Sequence, residues 1–207
     1  MSYVDQLLML KCAGDVLNAV CPLRNGAKEI SEAMAIVRRL RPIVLKEPNK
    51  YGLVDLCAGN ALASVIAVHL LPIKWAIAFD KRLREGRHYE LVKRFKYRKA
   101  DIFQPVDTWL RRLPRDPFIV IAIHPCKHLA ERCIYIYNET KAAKALFLMP
   151  CCSAELTAEY PQLFIDSCDP YLLWAYDLTT WTDGRISLIR DKNVMSPKNI
   201  IITAVKK

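Results

Sequence analysis

Three aspartates stand at matching places in this chain. Asp55 lies in Val54-Asp55-Leu56-Cys57-Ala58-Gly59-Asn60-Ala61, Asp80 precedes Lys81, and Asp101 precedes Ile102. Asp55 and Asp80 fall at the ends of short apolar stretches of strand length, and Asp101 at the end of a weaker, mixed one. Small residues at 57, 58, 59 and 61 let a backbone approach a ligand closely. A carboxylate at a strand end can accept both hydroxyls of a ribose, as in dinucleotide sites. Asp101-Ile102 suits an adenine, with the carboxylate accepting from its amino group and the Ile102 amide donating to a ring nitrogen. Taken singly, each acid also reads as the cap of a tight turn.

The segment 55–62 lacks the dinucleotide fingerprint, which needs glycines at 57, 59 and 62, where the chain has Cys, Gly and Leu. A phosphate cradle is therefore poorly supported. S-adenosylmethionine carries no phosphate and needs only one glycine and a strand-end acid, with Asp55 acting on its amino-acid part. The predicted cofactor contacts are Asp55, Cys57, Ala58, Gly59, Asn60, Asp80, Lys81, Asp101, Ile102 and His124. Two further apolar stretches end in Ile123-His124-Pro125-Cys126-Lys127-His128-Leu129 and Met149-Pro150-Cys151-Cys152. In a doubly wound sheet, these loops flank the point where substrate meets cofactor. His124 is the candidate general base or, on the plainer reading, a hydrogen-bonded histidine at a strand end. Cys126, Cys151 and Cys152 line the pocket, supply a nucleophile, or pack as small apolar groups. With no Cys-x-x-Cys pair, no metal is expected, although Cys126, His128, Cys151 and Cys152 are the residues that would form such a cluster.

The elements that position these residues follow from periodicity. Residues 3–20 read as a helix, with Val4, Leu7, Leu8 and Leu17 as core contacts. Residues 27–41 repeat Ile30, Ala33, Met34, Val37 and Leu40 at helical spacing, and Pro42 and Pro48 bracket a linker. From Tyr51 the chain alternates strand and helix. Strands are predicted at 52–57, 74–79, 97–100, 118–123 and 145–149, and helices at 61–71, 85–95, 106–113 and 127–140. Asp169-Pro170 starts another helix. Strands 185–189 and 200–205 then form an antiparallel pair. The prediction is an α/β protein with a Rossmann-like, doubly wound, seven-stranded sheet, mostly parallel with an antiparallel C-terminal edge. A helical segment, 1–48, precedes the domain at 49–207.

The chain has 207 residues, a net charge of +10 and eight cysteines. With Asp5 near the start and no basic-then-apolar leader, a cytoplasmic protein with reduced thiols is expected. No apolar run approaches bilayer length. Between Lys81 and Lys99, nine Lys or Arg face only Glu85 and Glu90. The block Lys93-Arg94-Phe95-Lys96-Tyr97-Arg98-Lys99 interleaves cations with aromatics, which suits a phosphate backbone and stacked bases. RNA is the expected partner; a solvated surface is the plainer reading.

The motifs Asp-Leu-Cys-Ala-Gly (55–59), His-Pro-Cys-Lys-His-Leu (124–129) and Pro-Cys-Cys (150–152), with the Ser196-Pro197-Lys198-Asn199 loop, resemble a branch of the class I S-adenosylmethionine-dependent methyltransferases. That branch comprises eukaryotic tRNA ribose methylases and related methyltransferase-like proteins. The resemblance covers residues 50–207. It implies cofactor binding at Asp55, Gly59, Asp80 and Asp101, and substrate-side roles for His124, Cys126, Cys151 and Cys152. Three glycines of the pattern are replaced here, by Cys57, Ala61 and Lys127. The expected function is methylation of RNA (tRNA or rRNA). The alternatives are a protein or small-molecule acceptor under an N-terminal lid, a binding module without turnover, and, more distantly, a nicotinamide-dependent oxidoreductase.

Overall fold

The computed structural model describes residues 1–104 and 113–206. Three helices, α1 (Tyr3–Leu8), α2 (Ala13–Val20) and α3 (Gly26–Lys46), lead into β1 (Gly52–Leu56), α4 (Leu62–Leu70), β2 (Trp75–Asp80) and β3 (Phe95–Lys99). There follow β4 (Phe118–Ile123), α5 (His128–Glu139), β5 (Ala143–Met149), α6 (Gln162–Ser167), α7 (Pro170–Thr180), β6 (Arg185–Arg190) and β7 (Ile200–Val205). The seven strands run in the order β3-β2-β1-β4-β5-β7-β6. All neighbours pair in parallel except at β7, which is antiparallel to both β5 and β6. This is the predicted Rossmann-like sheet. Strand order reverses direction between β1 and β4, so their carboxyl ends open a crevice.

Apolar residues bury both faces. Phe118, Val120 and Ala122 of β4 pack with α5 and α7, while Ile119 and Ile121 face the cluster that contains α3 and α4. That second cluster takes in Tyr3, Leu7, Val16 and Val20 from the first two helices. Gly52 starts β1 where any Cβ would collide with the Trp75 ring, 2.2 Å away.

Several elements depart from expectation. Residues 3–20 form two helices, and Leu8 is exposed rather than core. Ser2 and Asp5 close a capping box on the short first helix, and Gly14 lies inside the second. Helix α3 continues through Pro42 to Lys46. Pro42 removes one backbone hydrogen bond, but the fully buried Leu40 and Val44 hold the helix together across it. Residues 85–95 are not helical beyond one 3-10 turn at Tyr89–Leu91. Gly86 and Arg94 take positive φ there, and Arg94 turns inward to the carbonyls of Ile73 and Val68. Phe95 is 6% exposed, so it is core and not a stacking platform. The helix expected over 106–113 falls almost wholly outside the described residues. Helix α6 was not anticipated. Among the described residues, no helix is long and apolar enough to cross a membrane.

Candidate active site

The carboxyl ends of the strands bring the aspartates to one rim. Asp55, near the end of β1, is 3% exposed and accepts from Ser64 Oγ of α4 at 2.7 Å. Burial pushes its pKa up to about 7, the Ser64 hydrogen bond opposes this, and the charge on Asp80 adds to it. Asp80, the last residue of β2, accepts from the Gly59 amide at 2.9 Å and from the Arg82 amide at 2.9 Å. It therefore clamps the β1–α4 loop against the β2 end. Asp101 is more open, its side chain 31% exposed. The Phe103 amide and, less strongly, Lys81 hold its carboxyl below the usual range. Ile102 is buried and its carbonyl accepts from Arg132 Nε at 2.8 Å.

The β1–α4 loop itself is strained. Cys57, Gly59 and Ala61 all take φ between 55° and 57°. Two of the three are non-glycine, and left-handed backbone at such residues costs roughly 1–2 kcal/mol each. These are positions where the resembled pattern has glycine. Tyr97 Oη and Arg84 Nε both donate to the Gly59 carbonyl, at 2.7 and 3.1 Å. Tyr89 Oη donates to the Asn60 carbonyl at 2.9 Å. Asn60 Oδ1 accepts from the Leu62 amide at the start of α4, and the Asn60 side-chain amide donates to Glu29. Tyr89 and Tyr97 stack on each other at 4.8 Å. The aromatics of the basic segment thus brace this loop.

On the other side of the crevice, His124 ends β4 in left-handed conformation, its amide bonded to the Met149 carbonyl. Its Nε2 lies 2.6 Å from Oε1 of Glu32, in α3, with the side chains 23% and 4% exposed. Apart from this close contact, neither His124 ring nitrogen nor this Glu32 oxygen has a hydrogen bond among the described residues. Lys28 lies 3.7 Å from the same oxygen. Sequence reasoning missed Glu32. The signal was present: a glutamate inside an apolar run, Ile30 to Val37, is buried whichever way the helix turns and must meet a partner. Glu29, Arg24 and Ser64 were missed as well. Cys126, Cys151 and Cys152 converge nearby, with Cys126 and Cys151 sulfurs 2.8 Å apart. Burial is the largest cause raising both thiols, so neither is an activated nucleophile. His128 instead faces Glu131 at 3.0 Å on the surface.

Two clefts meet at Cys57, Gly59, Arg82 and His124. One, of ≈ 280 Å³, is lined by Asp55, Ala58, Asn60, Glu29, Glu32 and a set of arginines. The other, of ≈ 520 Å³, is lined by Asp80, Lys81, Asp101, Ile102, Phe103 and Cys126. Every predicted cofactor residue therefore lies on one of the two. The strand order and this rim define the Rossmann-like class of nucleoside-binding enzymes.

A family model described as a methyltransferase domain matches residues 26–159, more than half of the chain. The chain belongs to that methyltransferase family, and its cofactor is S-adenosylmethionine. A search of curated proteins finds no match. Among solved structures, the CurJ carbon methyltransferase is 12% identical over 86% of this chain and 55% of its own, with a TM-score of 0.56. The N-terminal domain of EvdMO1, solved in the presence of SAH and D-fucose, is 9% identical over 100% of this chain and 98% of its own, with a TM-score of 0.51. The chain spans only 40% of EvdMO1 itself, at 14% identity over 82% of this chain and a TM-score of 0.51. These likenesses show the fold.

The residues fit the cofactor. The apolar floor of Ile102, Phe103 and Leu129 beside Asp80 and Asp101 matches an adenosine. The nearly dehydrated Asp55 in the ≈ 280 Å³ cleft matches a cationic amino group.

Proposed function

We propose that the methyl acceptor is RNA. The observation that carries this reading is that Arg24, Arg82, Arg84 and Arg87 all line the ≈ 280 Å³ cleft. Arg84 and Arg87 also donate to backbone carbonyls, which fixes where their charges stand. Lys93, Lys96 and Lys99 are exposed along the β3 edge beside them. Such a rim gathers phosphates and lets a strand run toward a deep acidic site.

Asp80 and Asp101 orient the nucleoside half of the cofactor, and Asp55 holds its amino-acid half. When bound, S-adenosylmethionine supplies a methyl group already activated by its sulfonium. The chain's remaining task is alignment of the acceptor in line with that methyl. His124 stands where the two clefts join and takes the proton that a hydroxyl acceptor loses. Glu32 fixes the imidazole from behind and is a positioning residue.

The test is transfer of a labelled methyl group from S-adenosylmethionine into total cellular RNA, with a nuclease-treated control. Label in RNA that vanishes with nuclease is expected; label in protein or small molecules overturns the RNA reading. Binding should weaken steeply with salt, and Arg24→Ala should lower the salt slope by about 1.

A further inference from the structure

The mechanism above leaves the cysteine trio unused. Cys126 follows the end of β4, and Cys151 and Cys152 follow the end of its neighbour β5. The sulfurs form a triangle of 2.8 Å (126–151), 3.3 Å (151–152) and 3.8 Å (126–152). Consecutive residues in extended chain point to opposite sides. Here a bend at Cys152 turns both sulfurs of the pair toward Cys126. Their hydrogen-bond partners among the described residues are one another and the His124 carbonyl, at 3.5 and 3.7 Å. These three residues also form the group among the described residues whose ligand atoms converge closely enough to hold one ion.

We infer that Cys126, Cys151 and Cys152 form a binding site for one Zn²⁺ ion, with the fourth coordination position facing the donor cleft. Three thiolates are the ligand set that favours zinc over harder cations. Tetrahedral zinc with Zn–S near 2.3 Å places its sulfurs about 3.8 Å apart. One edge of the triangle already has that length, and the other two open by about 0.5 and 1 Å. On binding, the thiols release their protons to solvent as the three metal–sulfur bonds form. Cys126 lines the cleft with Asp80, Ile102 and His124. An ion held by three protein ligands keeps a position for water or substrate, as catalytic zinc sites do. The ion would tie together the two loops that bound the acceptor side. The inference rests on the sulfur geometry and stands whether or not the acceptor is RNA.

The test is titration of the full, reduced chain with Co²⁺ under anaerobic conditions, followed by displacement with Zn²⁺. The expected result is a thiolate-to-cobalt charge-transfer band that saturates at one ion per chain and disappears when Zn²⁺ is added. Cys126→Ser and Cys151→Ser should each lose most of that band, while Cys168→Ser keeps it in full. Cys152→His, which retains a ligand atom, should keep an altered band and guards against loss through misfolding. No charge-transfer band in the folded wild type, or an unchanged band in Cys151→Ser, overturns the site. So does air oxidation that consumes two of the three thiols without any metal uptake.

Discussion

The two banks of the crevice are built on different terms. On the bank formed by β1, β2 and β3, the carboxylates are saturated by the protein itself. Asp80 accepts two backbone amides, Asp101 one amide and a lysine, and Asp55 a serine hydroxyl. On the bank formed by α3, β4 and β5, the polar groups face one another without aligned partners. Glu32 and both nitrogens of His124 belong to that set, and three crowded thiols beside them bond only to one another and to the His124 carbonyl among the described residues. Buried polar groups in proteins are normally satisfied, and the His124–Glu32 pair, which lines the ≈ 280 Å³ cleft, is where a bound acceptor would add a further partner. In the proposed reading, the saturated bank holds a ligand of fixed shape, and the unsatisfied bank meets the group that changes during the reaction.

The largest effect should come from breaking the unsatisfied bank. His124→Ala is expected to lower kcat by about 10²–10⁴ for a hydroxyl acceptor, while cofactor affinity barely moves. Glu32→Gln should lower kcat less, by roughly 10–100-fold as for other orienting partners, and should shift the pH–rate profile, which a purely structural role would leave in place. Steady-state kinetics and calorimetry with S-adenosylmethionine separate the two quantities. A collapse of cofactor binding in either variant would erase the distinction between the banks.

The saturated bank should respond in the opposite way. Asp80→Ala strands the amides of Gly59 and Arg82, each at a cost of about 1–3 kcal/mol, and frees the β1–α4 loop. Stabilisation by S-adenosylmethionine in a thermal-shift assay should disappear. Asp55→Asn tests a subtler trade. The carboxyl's folded pKa, about 7, lies above the unfolded value of 3.8. The native state therefore binds the proton more tightly, and wild-type stability falls as pH rises through the window between these values. Asparagine removes that loss and can still accept from Ser64. Asp55→Asn should match wild type near pH 4 and exceed it at pH 8 by roughly 2–4 kcal/mol. Its affinity for the cationic amino group should fall at the same time, so chemical denaturation and calorimetry would move in opposite directions.

How much of this was legible in the sequence follows the same divide. The strands of the sheet and the three aspartates were readable because strand-end acids recur at matching places in an alternating pattern. Asp80, for example, sits at the junction of an apolar stretch and a basic block. Glu32 could be read as a buried charge in need of a partner, but not which partner, because His124 is 92 positions away and only tertiary packing joins them. The segment 85–95 misled for a related reason. Its helix-like spacing yields to the side chains of Arg87, Tyr89 and Arg94, which donate to carbonyls of α4 and of the loops beside α2 and α4. Helix α3 outlasts Pro42 because burial on one face outweighs a single missing amide.

The smallest expected effect concerns backbone strain, which both banks share. Cys57 and Ala61 on one side and Lys127 on the other take left-handed φ, of 57°, 56° and 47°. All three stand where the resembled pattern has glycine. At Lys127 the ψ of −120° takes the residue into a region that glycine alone visits freely. Lys127 is exposed, so its replacement removes little packing. Lys127→Gly relieves the strain but also loosens the unfolded chain, and the two terms oppose each other. The net expectation is a gain of about 0.5–1 kcal/mol in unfolding free energy, read as a higher denaturant midpoint at unchanged slope. Cys57→Gly relieves similar strain but deletes a side chain that packs at the meeting point of the two clefts, so it should gain less or lose. Equal gains at both positions would mean that Cys57 contributes nothing there beyond its backbone. A larger gain at Lys127 shows that the buried corner is held by its side chain and the exposed one is tolerated only by the fold around it.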